Sequence, residues 1–255
     1  MFLVIGAGGV GQAIATRLHE IAQEVCLVHR PYQTLHVPYS TVTSWEAVPW
    51  EKVRGIFLCV KDRQIASTAE AILPFVGPIE GIVHTAGSIP LSEIAQYYGE
   101  KAGVLYPLQT FTPGQPISWG SFPIVWEGPP LIRRWATLLA GTAEKVHYVD
   151  SALRLRLHIG AVFAANFVNA LFHIADRLAQ PAGGWKLYLP LAQKVVEKLS
   201  YLSPAEAQTG PARRGDTLTL AKHEAFLQAE MPELLPLYQS LSAYIQMHAA
   251  QSSRQ

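Results

Sequence analysis

The sequence predicts an α/β fold, a doubly wound and mostly parallel sheet covered by helices, followed by a smaller all-α domain. Three observations lead there. Short β-type runs alternate with amphipathic helical patterns through the first half, a glycine-rich turn joins the first run to the first helix, and strand patterns stop after Asp150. A length of 255 residues allows one to two domains at roughly 150 residues each. With 49% hydrophobic and only 15% charged residues, disorder driven by charge is excluded.

The first strand is expected at residues 2–5. Val10, Ile14, Leu18 and Ile21 then recur every three to four residues, the apolar stripe of a helix packed on a sheet. Further strands are expected at residues 25–28, 55–60, 81–84 and 103–106, with a helix carrying Ile65, Ala69, Ile72 and Leu73 between the third and fourth. Residues 107–123, rich in Pro, Gly, Ser and Thr, read as a long loop, and strands at 124–126 and 146–149 flank a helix near 131–140. Beyond Asp150 only helices are expected, at 151–178, 186–199, 218–229 and 234–248, so the boundary is placed between a sheet domain, 1–150, and a helical domain, 151–255. Asp150 or Ser151 can cap the first of these helices.

The turn after the first strand reads Gly6-Ala7-Gly8-Gly9-Val10-Gly11, a G-x-G-x-x-G between strand and helix. Gly6 permits a tight turn, Gly8 lets backbone amides approach a pyrophosphate, and Gly11 allows close helix packing; the free amides of the helix start then bind phosphate. The first domain is therefore read as a Rossmann dinucleotide-binding domain, with these six residues on the cofactor. An NAD enzyme usually carries an acid about 20 residues further on. Here the second strand ends His29-Arg30, with no acid between Glu24 and Glu46, which favours NADP with Arg30 on the 2′-phosphate and leaves NAD as the alternative.

Lys plus Arg (20) against Asp plus Glu (19) leaves a net charge of +1, so no basic field is available for a nucleic-acid backbone. Cys26 and Cys59 lie in apolar runs and read as reduced core thiols of a cytoplasmic protein, neither a disulfide framework nor a metal site. Met1 leads straight into an apolar run without a basic start, so no secretory signal is read and the fold is expected to begin at residue 1. Residues 157–175 carry no formal charge and are long enough to cross a bilayer, but they include His158, Asn166, Asn169 and His173, which argues against a membrane span.

Ligands of open α/β sheets bind beyond the carboxyl ends of the strands, which singles out Val60, Lys61 and Asp62, then His84, Thr85, Gly87 and Ser88, and then Pro107, Gln109 and Thr110. On the long helix His158, Asn166 and Asn169 fall towards one side of an otherwise apolar surface, where buried polar groups need a partner: substrate and nicotinamide, or backbone carbonyls. Arg214 and Asp216 belong to a turn-rich segment that either closes over the cleft or forms an ion pair and helix cap.

Five strings fit one pattern: VKD at 60–62, HTAGS at 84–88, YPLQTF at 106–111, HIGAVFAANF at 158–167 and TGPARRGD at 209–216. Together they resemble the bacterial Rossmann-like family carrying the domain of unknown function 2520, related to pyrroline-5-carboxylate reductase, ketopantoate reductase and 6-phosphogluconate dehydrogenase. The resemblance implies a Rossmann domain, a helical domain that commonly dimerises, a cleft between them and a reductase-type function without a defined substrate. The family's usual Ser within HTAGS is Ala86 here, and the lysine that several related reductases draw from the helical domain has no counterpart between Ser151 and Gln180.

The expected activity is NADP-dependent reduction of a small carbonyl or imine, with His158 as proton donor, Asn166 holding the substrate and His84 opposite them; the alternative is a non-catalytic NADP(H) sensor. A homodimer is expected because the helix at 151–178 is apolar nearly all round.

Overall fold

The computed structural model describes residues 1–252. They divide into two compact units, the first Met1–Asn169 and the second starting at Ala170.

The first unit is built on one sheet: β1 (Phe2–Ile5), β2 (Val25–Val28), β3 (Ser40–Val42), β4 (Gly55–Leu58), β5 (Gly81–His84), β6 (Ala102–Pro107), β7 (Ile124–Glu127) and β8 (Val146–Tyr148), in the order β3-β2-β1-β4-β5-β6-β7-β8. Neighbouring strands are parallel except β6 and β7, which run antiparallel with Val104 opposite Glu127 and Pro107 opposite Ile124. The reversal has a local cause. The segment between β6 and β7 holds only a single 3-10 turn, Trp119–Ser121, so no helix carries the chain back across the sheet as a parallel crossover requires.

Helices α1 (Gly9–Glu20), α2 (Ile65–Ile72), α3 (Ser92–Tyr98) and α4 (Pro130–Ala140) cover the sheet. Side chains alternate across it with period two. Phe2, Val4, Leu27, Phe57 and Val83 meet Ile14 and Leu18 of α1 and Trp135 and Leu139 of α4. Leu3, Ile5, Cys26, Ile56, Leu58 and Ile82 meet Ile65 and Ile72 of α2 and Ile94 of α3. Burial on both faces is why these strands are written as unbroken apolar runs. Gly55 belongs to the same packing, because a Cβ there would lie 2.6 Å from the Trp135 ring.

Two elements were not expected. β3 is three residues long and half exposed, and is ordered as a strand by pairing Ser40 to Val42 with Cys26 to Val28. α3 buries only Ile94, too little to show a helical period. β4 is also shorter than expected, ending at Leu58 and leaving Cys59 and Val60 beyond the ladder.

The long helix expected from residue 151 is present but interrupted: α5 (Ser151–Ala161), a π-helical turn (Val162–Asn166) and α6 (Phe167–Ala179). Asp150 caps it, accepting from the Leu153 amide at 2.7 Å. Arg154 is 1% exposed and forms an ion pair with Glu127 at the end of β7. It also donates to the Ile89 carbonyl at 2.6 Å and to Ser151 Oγ at 3.2 Å. Ser151 Oγ in turn donates to Glu127 at 2.8 Å and accepts from the Leu91 amide at 3.1 Å. One buried cluster thus fastens the start of α5 to β7 and to the segment after β5.

The second unit is helical among the described residues, with α7 (Leu189–Lys198), α8 (Pro204–Ala207), α9 (Pro211–Arg214), α10 (Thr217–Glu230) and α11 (Leu235–Ser252). Ser203 and Glu206 form a reciprocal capping box on α8. Arg177 pairs with Glu233 at 2.5 Å, and His223 Nδ1 bonds the Tyr238 hydroxyl at 2.7 Å.

The stretch Ser151–Ala182 is long and apolar enough to cross a membrane by length and composition, the one such helix among the described residues. Its Leu155, Ile159, Phe163, Phe167 and Leu171 are exposed at a spacing of four residues.

Removing one member of the buried ion pair should leave the other charged and unpaired. Glu127→Ala is expected to lower unfolding stability in urea by about 3–5 kcal/mol, whereas replacing both groups by apolar ones, Glu127→Leu with Arg154→Met, should recover most of that loss.

Candidate functional site

Each glycine of the turn after β1 has its own physical reason. Gly6 has φ +106°, and a Cβ there would lie 2.5 Å from the Cys59 carbonyl oxygen. A Cβ on Gly11 would overlap the Gly6 carbonyl oxygen, so α1 can lie this close to the turn only with glycine there. Gly9 is similarly tight, 2.5 Å from the Phe111 carbonyl oxygen. Gly8 differs: a Cβ there would meet nothing within 4 Å. It is the N-cap of α1, no side chain caps that end, and the first turn carries no acidic residue, so free amides and the positive end of the helix dipole face open space. Val10 packs inward on the core.

The turn opens into a pocket of about 590 Å³ at the carboxyl ends of the strands. Its lining comes from Ile5 to Gly8 after β1, Val28 to Arg30 after β2, Thr43 to Glu46 after β3 and Cys59 to Lys61 after β4. β1 is where the strand order reverses, the position at which doubly wound sheets hold nucleotides. Arg30 is braced by the Tyr32 hydroxyl, with its guanidinium 5.8 Å from the Tyr32 ring centre, and has no carboxylate partner among the described residues. His29 Nδ1 lies 2.9 Å from the Arg30 carbonyl oxygen. Glu46 completes the rim, its carboxyl held below the usual range by hydrogen bonds from its own backbone and from Ser44.

A second group of side chains gathers past β4, β5 and β6. Ser88 Oγ donates to Asp62 Oδ2 at 2.5 Å. The Tyr106 hydroxyl and His158 Nδ1 are 3.0 Å apart, with the rings edge to face at 5.7 Å. Gly87 lies against that imidazole, where a Cβ would be 2.6 Å from Nδ1. Burial, with the charge of Asp62, pushes the Tyr106 phenol above its ordinary pKa.

Other residues singled out by the sequence take structural places. His84 is fully buried, its Nδ1 accepts from the Ala86 amide at 3.3 Å, and burial together with the Arg154 charge takes its pKa down to about 3. It therefore does not face His158 across an open site, contrary to expectation; it is a neutral brace beneath the loop that carries Gly87. Thr85 turns to the Leu58 carbonyl, with its Oγ1 at 3.4 Å. Asn166 closes the π-helical turn, and both it and Asn169 are exposed. The wider turn shifts the phase of everything after it, so the uniform helical spacing that set these asparagines beside His158 does not hold. Asp216 uses its carboxylate to cap α10, accepting from the Thr219 amide at 3.1 Å and hydroxyl at 2.7 Å, and these bonds lower its pKa. Sequence reasoning missed Tyr106, Tyr32 and the rim from Thr43 to Glu46. Tyr106 was within reach of the strand-end rule, near the end of β6; the rim was hidden with β3.

A mostly parallel sheet with a glycine turn at its switch point and a pocket at its strand ends gives this chain the Rossmann fold. Residues 123–245 match the family described as a domain of unknown function (DUF2520), which bears out the resemblance read from the sequence strings. A Bacteroides fragilis protein, assigned provisionally as an NADP oxidoreductase, is similar over 96% of this chain and 97% of its own, with 28% identity and a TM-score of 0.85. A Thermotoga maritima protein matches over 100% of both chains at 17% identity and a TM-score of 0.71. Plasmodium falciparum pyrroline carboxylate reductase with NADP bound shares the fold over 97% of both chains, at 10% identity and a TM-score of 0.61. No curated protein matches the sequence.

The glycines of the turn should separate by experiment. Gly8→Asp should fold with a near-normal melting temperature but lose dinucleotide binding in a fluorescence titration, while Gly11→Ala should lower the melting temperature itself. His84 is neutral when folded, and its folded pKa of about 3 lies below the ordinary value of 6.5. Its stabilising contribution is therefore present above pH 6.5 and lost as pH falls from there towards 3. Urea midpoints should decline across that window by up to about 1.4 kcal/mol per pH unit, and His84→Asn should flatten the decline.

Proposed function

We propose that the chain is an NADP-dependent oxidoreductase that reduces a small carbonyl or imine compound. The carrying observation is the pocket that runs from Gly8, where a Cβ would meet open space, to Arg30, whose guanidinium has no carboxylate partner among the described residues. A pyrophosphate suits the first and a 2′-phosphate the second. The Bacteroides fragilis relative and the NADP-bound Plasmodium falciparum reductase support the choice of cofactor.

In this reading Gly6, Ala7, Gly8, Gly9, Val10 and Gly11 form the phosphate turn, His29 and Arg30 hold the 2′-phosphate, and Val60, Lys61, Asp62 and Thr85 belong to the nicotinamide side. The cofactor supplies hydride when bound. His158 gives a proton to the oxygen or nitrogen that becomes anionic. The sheet domain, 1–150, is the cofactor domain, and the helical domain, 151–255, contributes substrate contacts and dimerisation. A second copy covers the exposed Leu155, Ile159, Phe163, Phe167 and Leu171, which makes the protein a cytoplasmic homodimer. The absence of lysine from Ser151 to Gln180 favours a second reading, a non-catalytic NADP(H) sensor.

NADPH should bind more tightly than NADH, and Arg30→Asp should remove the difference; equal affinities in the unaltered protein would sink the NADP assignment. NADPH oxidation against a panel of small aldehydes, 2-oxo acids and cyclic imines separates enzyme from sensor. With a compound that is turned over, His158→Ala should lower kcat by about 10²-fold or more with NADPH affinity unchanged. Light scattering at micromolar concentration should give twice the chain mass of 28.0 kDa.

A further inference from the structure

The imidazole of His158 is held on one side only. Its Nδ1 meets the Tyr106 hydroxyl at 3.0 Å, and Gly87 leaves the room in which the ring sits. No protein group bonds its Nε2 among the described residues. A hydroxyl can donate to Nδ1 or accept from it, and the two cases give opposite tautomers. If Tyr106 donates, the neutral ring carries its proton on Nε2, and the contact must reverse whenever the ring becomes imidazolium. If Tyr106 accepts, the same Nδ1–H···O bond serves the neutral and the charged ring, and only Nε2 gains or loses a proton.

The role of proton donor decides between them. Nδ1 is taken up by Tyr106 and Nε2 has no protein partner among the described residues, so Nε2 is the nitrogen open to a ligand. An imidazolium carries hydrogen on both nitrogens, so Tyr106 must accept from the charged ring, and the same bond persists once Nε2 has given its proton away.

We propose that Tyr106 is the positioning residue of the site: its oxygen accepts from His158 Nδ1–H, keeps that proton on the ring and makes Nε2 the atom that exchanges a proton with substrate. This rests on the reading of His158 as proton donor. The reaction then balances simply. As hydride from NADPH reaches the substrate carbon, the imidazolium gives its Nε2 proton to the adjoining oxygen or nitrogen. The ring is left neutral with Nδ1–H still bonded to Tyr106, and Nε2 is reprotonated from water.

The test is nitrogen NMR of the full chain labelled with ¹⁵N-histidine, with the His158 signals identified by their loss in His158→Gln. At a pH where the ring is neutral, the proton should reside on Nδ1. Tyr106→Phe should move it to Nε2, leave NADPH affinity unchanged and lower kcat on the order of 10²-fold for whichever panel compound is reduced. Gly87→Ala, which displaces the ring from the other side, should change the tautomer as well and stands in if Tyr106→Phe does not fold. A neutral ring protonated on Nε2 in the unaltered protein, or a tautomer indifferent to Tyr106→Phe, would overturn the proposal. If the tautomer behaves as stated and no panel compound is reduced, the positioning stands and the reductase reading falls.

Discussion

The buried pair of Arg154 and Glu127 is the contact on which the arrangement of the site depends. A guanidinium that is 1% exposed is tolerated only because a carboxylate, a carbonyl oxygen and a hydroxyl surround it, and each belongs to a different part of the chain: β7, the segment after β5, and the start of α5. The cluster therefore sets the position of α5 against the sheet. His158 is four residues further along the same helix, one turn above Arg154 on the same face, so its approach to Tyr106 and Gly87 is inherited from the ion pair. Burial, with the same charge adding to it, keeps His84 neutral below the loop that carries Gly87.

Much of the fold was legible because the central strands are buried on both faces and are therefore written as apolar runs that few other structures would use. The glycine turn was legible because strand, turn and helix each demand particular residue types at fixed spacing. β3 and α3 were not, since neither has enough buried positions to show a period; tertiary pairing orders them. The loss of β3 concealed Glu46, so the pocket rim holds a carboxylate as well as Arg30, where the sequence suggested a cation alone.

The site was partly legible for a related reason. Strand-end logic found the HTAGS segment but could not tell which of its side chains turn inward, and it is Gly87, through what it lacks, that meets His158, while His84 faces the interior. The grouping of His158 with Asn166 and Asn169 assumed 3.6 residues per turn throughout. Nothing in Val-Phe-Ala-Ala-Asn announces a π-helical turn, and that turn is where the assumption fails.

The reversed direction of β7 sets the polarity of the chain beyond it. β8 runs parallel to β7, so the chain leaves it heading away from the carboxyl ends of the parallel strands, and α5 carries it from Glu127, opposite Val104, to Tyr106. Arg154 and His158 mark the two heights of that climb, one turn apart, as Val104 and Tyr106 do along the strand. Had β7 been parallel, the chain would have left β8 heading the other way, and α5 would have begun from the opposite direction. One missing crossover helix thus decides that a side chain from the middle of α5 arrives at the carboxyl ends of the strands.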